Sequence, residues 1–137
     1  MEFVLESNAE TKQIRLIVVA IMAILKRLLK EDILYDLEVA LSEACTNVAI
    51  HAYSDSYEEK KIKVKLKIEL KKVIIIEVID WGDEFSLPEN LPDEYSESGR
   101  GVYIMRKVMD RLEYERINNQ NYIIMHKSVE EEEWKNC

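Results

Sequence analysis

Glycine, proline and cysteine are scarce here: three, two and two residues in a chain of 137. The cysteines, Cys45 and Cys137, make no Cys-x-x-Cys pair and no metal-ligand spacing. They read as a small core residue and a tail thiol in a reducing compartment. Long apolar runs are missing too. The longest, Leu16 to Leu25, is ten residues, about half of the roughly 20 that a membrane-spanning helix needs. The residues before it hold no basic start and no cleavage-type small residues, so a soluble, cytoplasmic protein with no membrane contact is expected. Positive charge is in deficit, with a net charge of -8. That weighs against direct nucleic-acid binding, because a phosphate backbone calls for a basic surface. What is present is the balance of one globular domain, 47% hydrophobic and 34% charged, with length enough to bury a core.

The few glycines and prolines are not spread out. All five fall within "WGDEFSLPENLPDEYSESGRG", residues 81 to 101, the one long irregular segment. Irregular segments of that length in a compact domain carry function or are disordered. Around it the patterning is regular. "EFVLE" reads as a short edge strand, and Ser7-x-x-Glu10 has the spacing of a capping box, which predicts a helix from about Asn8 to Lys30. A second helix follows from about Ile33 to Ala52. "KIKVKLKIEL" alternates lysine with Ile, Val and Leu, the period of a strand with one wet and one buried face. "KVIIIEVID" reads as a more buried strand beside it. After the irregular segment, "GVYIMRKVMDRL" reads as a helix, "EYERI" as a strand, "NNQ" as a turn and "NYIIMHKSV" as a final strand. The order β-α-α-β-β-loop-α-β-β predicts an α+β fold, helices layered on one face of a mixed, mainly antiparallel sheet. One domain over residues 1–129 is expected, with residues 130–137 as a solvated acidic tail.

Three short stretches carry polar residues that could do chemistry. In "LSEACTNVAIHAY", Glu43, Asn47 and His51 recur every four residues among small or apolar neighbours, stacked along one helical stripe about 6 Å apart. A carboxylate can serve as a general base, and a carboxamide oxygen is a neutral hard ligand of the kind Mg²⁺ accepts beside water and phosphate. On spacing alone the solvent side of a helix is the favoured reading of Glu43 and Asn47. In "VIDWGDEF", Asp80 leaves a buried strand into a turn with Gly82, placed either to accept a hydrogen bond from a ligand's amine or to make an Asx-type turn. In "SGRGVYIM", Gly99 and Gly101 flank Arg100 ahead of a helix. Free N–H groups and the helix dipole there favour phosphate, although an ordinary loop-to-helix turn has the same sequence.

Taken in this order and spacing, the three stretches resemble the anti-sigma factor serine kinases of the GHKL, or histidine-kinase-like, ATPase superfamily. "EACTNVAIHAY" is similar to that family's N box, "DWGDEF" to its first glycine box, "SGRGVYIMRKVMD" to its second, and "IIMHK" to its last strand. The resemblance implies a Bergerat-type α/β sandwich binding ATP and Mg²⁺. It implies Glu43 as the catalytic base, Asn47 as the Mg²⁺ ligand, Asp80 and Gly82 at the adenine, and Gly99, Arg100 and Gly101 at the phosphates. Protein partners are implied as well: a sigma factor that the protein sequesters and a small anti-anti-sigma protein whose serine it phosphorylates, with Arg15 on the first helix meeting a partner. A homodimer belongs to the same expectation. The alternative is a nucleotide-dependent binding module that transfers no phosphate. His51, Tyr53 and Trp81 read as helix-end or packing residues. The sequence departs from the family at Glu84, in an acidic stretch from Asp83 to Ser98 that has no lysine or arginine, and at Asn121 and Tyr122, where relatives place a small residue such as threonine.

Overall fold

The computed structural model describes residues 1–84 and 100–135. Gly99, most of the acidic stretch and Cys137 lie outside them. Five strands form one sheet in the order β1-β2-β3-β5-β4: β1 Glu2–Asn8, β2 Lys61–Glu69, β3 Val73–Asp80, β4 Arg111–Ile117 and β5 Gln120–Ser128. Every pairing is antiparallel. Three helices supply the second layer: α1 Thr11–Leu28, α2 Glu31–Asn47 and α3 Arg100–Val108.

The core sits between the layers. Ile62, Val64, Leu66 and Ile68 of β2 and Ile74, Ile76 and Val78 of β3 point inward against Ile21 and Leu25 of α1 and Leu37 and Leu41 of α2. The alternating lysines of β2 occupy the opposite face, where Lys67 pairs with Glu77 at 3.3 Å. The β4–β5 hairpin turns on Asn118 and Asn119, both at positive φ (52° and 63°). That is the backbone of a tight hairpin turn, and asparagine tolerates it better than most residues.

Four boundaries differ from expectation. The helix α3 stops at Val108, and Arg111 and Leu112, expected within it, open β4. No capping box forms: Ser7 and Asn8 pair with Ile62 and Lys61 in the sheet, and Glu10 precedes α1 without a side-chain cap. Ladder hydrogen bonds to β2 outcompete the cap, so the helix begins three residues later than Asn8. The second helix changes character after Asn47, where Val48–Ala52 winds as a π-helical turn. The segment after β5 is docked and not a solvated tail. Trp134 is buried, its Nε1–H donates to the Val129 carbonyl at 3.2 Å, and it bridges to Leu29. The backbones of Lys30 and Lys135 donate to Glu133 and Leu28, both at 2.8 Å. Glu131 and Glu132 face solvent as expected, but the indole closes the core beneath the α1–α2 junction.

Candidate functional site

The polar stripe of α2 runs along the side of the helix that meets α3. Glu43 and Asn47 are half-buried, while Ala44, Cys45 and Val48 around them are buried in the core. Burial pushes the Cys45 thiol up to about 12, which leaves it an inert core residue. His51 does not continue the stripe. The π turn, with its wider i→i+5 bonding, inserts an extra residue per turn and leaves His51 exposed.

Gly101 is what lets α3 approach. A Cβ on Gly101 would lie 2.7 Å from Glu43 Oε2, 3.4 Å from Asn47 Nδ2 and 3.5 Å from Asn47 Oδ1. The first turn of α3, whose leading N–H groups have no partner within the helix, therefore comes down on the carboxylate and carboxamide together. Arg100 opens the same turn and is exposed. Arg15 lies exposed on a different element, α1.

The second part of the site grows from the end of β3 and is tied to the same helix. Gly82 packs on Ala52, the last residue of the π turn, so closely that a Cβ there would collide with the Ala52 carbonyl. The Asp83 N–H donates to that carbonyl at 2.9 Å. Tyr53 fastens the junction: its hydroxyl accepts from the Trp81 N–H at 2.9 Å and donates to the Lys61 carbonyl. Tyr57 donates from its hydroxyl to Asp83 Oδ1 at 2.8 Å and stands edge-on to Tyr53. The structure thus brings Glu43 and Asn47 against Gly101, and Asp80 and Gly82 against the far end of the same helical segment.

Asp80 is buried, with 2% of its surface exposed. The Gly82 N–H donates to its Oδ1 at 2.9 Å, the Asx turn foreseen in the sequence. Burial pushes its carboxyl above the usual aspartate range, against the pull of Asn121, the Gly82 N–H and Arg116. Asn121 and Arg116 had no assigned role in the sequence reading. Asn121 is fully buried, is Asp80's register partner across β3 and β5, and donates to its Oδ1 at 2.8 Å. Arg116 donates to Asn121 Oδ1 at 2.8 Å and to the Gly82 carbonyl at 3.2 Å. One signal was available: Asn121 is in phase with Ile123 and Met125, the inward residues of β5, so a polar side chain had to point into the fold.

Residues 7–127 match the histidine kinase-like ATPase domain. The chain belongs to that family. Its five-stranded antiparallel sheet and helical layer are the family's α+β architecture in this sequence. Among curated proteins it is similar to the serine-protein kinase RsbW of Oceanobacillus iheyensis, 35% identical over 111 residues, 72% of this chain and 67% of the relative. The proteins of the same name from Bacillus subtilis and Bacillus licheniformis are 36% and 33% identical over 93 and 92 residues, in each case 59% of this chain. The chain spans just over half the length, 56%, of these two Bacillus relatives.

Proposed function

We propose that this chain is an ATP-binding protein serine kinase and anti-sigma factor, with residues 1–129 as its ATP-binding domain. It would sequester a sigma factor and phosphorylate a serine on a small anti-anti-sigma partner of the STAS type. The observation that carries the reading is the meeting of Glu43, Asn47 and Gly101 at one end of a helical segment whose other end holds the Asp80–Gly82 turn. A carboxylate and a carboxamide oxygen converge on the backbone of the first turn of α3. Those are the groups phosphoryl transfer asks of a protein, whose share is mainly positioning and charge stabilisation.

The donor set fits the implied ion: Asn47 Oδ1 is a neutral hard oxygen, and Mg²⁺ needs few protein ligands when phosphate oxygens and water complete its shell. When bound, Mg²⁺ would gather the phosphate oxygens and offset their charge. The rest falls to the chain. Glu43, half-buried beside Asn47, takes the proton of an incoming serine hydroxyl. Gly101, with Gly99 and Arg100, offers N–H groups and a cation to the phosphates. Asp80 accepts from the exocyclic amine of adenine, and Gly82 keeps the backbone low enough for the base to enter. Arg15, exposed on α1, is proposed to meet a protein partner, and a homodimer is part of the same reading.

The test is direct. Glu43→Ala is expected to keep Mg-ATP binding while serine phosphorylation of the partner falls by roughly 10² to 10⁴, the usual worth of a general base. Normal phosphorylation by that variant would remove Glu43 from the mechanism. A second reading, a nucleotide-dependent binding module without transfer, is favoured by one feature: six acidic residues and no lysine or arginine between Asp83 and Ser98, a charge balance unfavourable to a polyanionic substrate. Labelled ATP incubated with partner separates the two, since only the kinase yields phosphoserine.

A further inference from the structure

Asn121 has no spare hydrogen-bonding capacity. Its Oδ1 accepts from the Tyr114 hydroxyl at 2.6 Å and from Arg116 Nη1 at 2.8 Å. Its Nδ2 donates to Asp80 Oδ1 at 2.8 Å and the Asp83 carbonyl at 2.9 Å, with the Gly82 carbonyl at 3.4 Å. A guanidinium offers only donors, so the carboxamide oxygen must face Arg116 and the amide nitrogen must face Asp80. The orientation is therefore imposed by β4 and leaves no freedom to flip.

The consequence falls on Asp80. Its Oδ1 takes two donors, Asn121 Nδ2 and the Gly82 N–H. Among the described residues none donates to Oδ2, so the carboxylate presents one unspent oxygen whose direction is set from behind. An asparagine kept only to satisfy the β3–β5 ladder would need partners of its own, but it would not have to leave a neighbouring carboxylate half used.

We propose that Asn121 is a positioning residue that fixes Asp80 as a one-sided hydrogen-bond acceptor, so that the site's preference for a 6-amino over a 6-keto purine nucleotide depends on Asn121 as well as Asp80. The proposal rests on the nucleotide-binding reading above. A 6-amino purine donates to the free oxygen, whereas a 6-keto purine sets two acceptors against each other and leaves both buried groups unpaired. Arg116 of β4, Tyr53 after the π turn, and Tyr57 and Asp83 beyond it are the other charged or titratable groups around Asp80.

The experiment is calorimetric titration with Mg-ADP and with Mg-inosine diphosphate from pH 5 to 8, on wild type, Asn121→Asp and Asn121→Thr, with thermal melts as the folding control. Wild type is expected to favour ADP by at least about 10-fold, the worth of one buried hydrogen bond to a charged group. Asn121→Asp keeps the size but loses the donor. It should weaken ADP by roughly 10-fold or more, leave inosine diphosphate within about 2-fold, and move the acid limit of ADP binding to higher pH. Asn121→Thr retains one hydroxyl donor and should fall between, and it carries the comparison if the aspartate variant does not fold. Equal losses for both nucleotides with an unmoved acid limit would make Asn121 merely structural and overturn the proposal alone. Wild type binding neither nucleotide would overturn the reading beneath it, and the proposal with it.

Discussion

Adding one methyl group at Gly82 or at Gly101 should have opposite consequences, because the atoms in the way differ in kind. At Gly82 a Cβ would meet the Ala52 carbonyl carbon at 2.6 Å and the Ala52 methyl at 3.1 Å. Neither can rotate away, so the π turn or the end of β3 must shift, breaking the Asp83–Ala52 hydrogen bond and loading the Trp81–Tyr53 one. Overpacking costs about 1–3 kcal/mol, a lost hydrogen bond about 0.5–1.5 kcal/mol, and the stiffer unfolded chain returns about 0.4–1 kcal/mol. The net is a destabilisation of about 0.5–4 kcal/mol. With roughly 2.1 cal/mol/K of unfolding entropy per residue, 137 residues give about 3.5 °C per kcal/mol. Gly82→Ala should therefore lower Tm by about 2–14 °C. At Gly101 the obstacle is Glu43 Oε2 at 2.7 Å, the end of a half-buried side chain that can swing aside, and Asn47 is at ordinary contact distance. Gly101→Ala should shift Tm by less than about 3 °C yet cut partner phosphorylation at least roughly 10-fold, because the displaced carboxylate is the proposed base. Thermal melts and a phosphotransfer assay on both variants decide it. If Gly101→Ala melted as early as Gly82→Ala, or Gly82→Ala melted within about 2 °C of wild type, the packing account of these two turns would be wrong.

Three further outcomes are expected. Asn47→Ala should weaken nucleotide binding in Mg²⁺ by at least roughly 10-fold and leave binding in chelator unchanged, read by calorimetry under both conditions. Asp80 has its folded-state pKa raised by burial, so the stability it contributes is complete below the unfolded aspartate range and is lost as pH rises through the folded value. The Tm of Asp80→Asn relative to wild type should accordingly climb from acid toward neutral pH, and a flat difference would contradict that sign. Trp134→Ala should cost about 3–5 kcal/mol, as a buried indole does, while Trp134→Phe recovers most of it in denaturant melts. A loss below about 0.5 kcal/mol would return residues 130–137 to the status of a solvated tail.

The fold was legible wherever one face of an element was buried and its period was clean. Lysine alternating with Ile, Val and Leu from Lys61 onward placed β2 with its faces the right way round, and the apolar run of β3 marked a central strand. The element order followed from these patterns and from the confinement of every glycine and proline to one stretch. Ends were less legible, since they are settled by competition. Ser7 and Glu10 have the spacing of a cap, but Ser7 also faces Ile62 across a ladder, and the ladder prevails. Trp134 was misread because it stands among glutamates, and composition averages over the single residue whose indole finds the core.

The residues around Asp80 could not be found by motif, because no motif contains them. Asp80 and Asn121 are the two buried polar or charged side chains among the described residues, they lie 41 positions apart, and they are register partners. Their meeting depends on β5 lying between β3 and β4, an order that local pattern does not specify. Arg116 reaches Asn121 because it is the residue opposite in the β4–β5 ladder, and Tyr114 joins from two positions earlier. Each strand still carries a local trace of the arrangement, a polar residue in phase with inward apolar ones: Asp80 with Val78 and Ile76, Asn121 with Ile123 and Met125. A buried polar group without a partner is costly, so two such breaks in one sheet imply that the breaks face each other. Strand order could therefore have been argued from Asp80 and Asn121 together, with the polar cluster serving as a constraint on the topology.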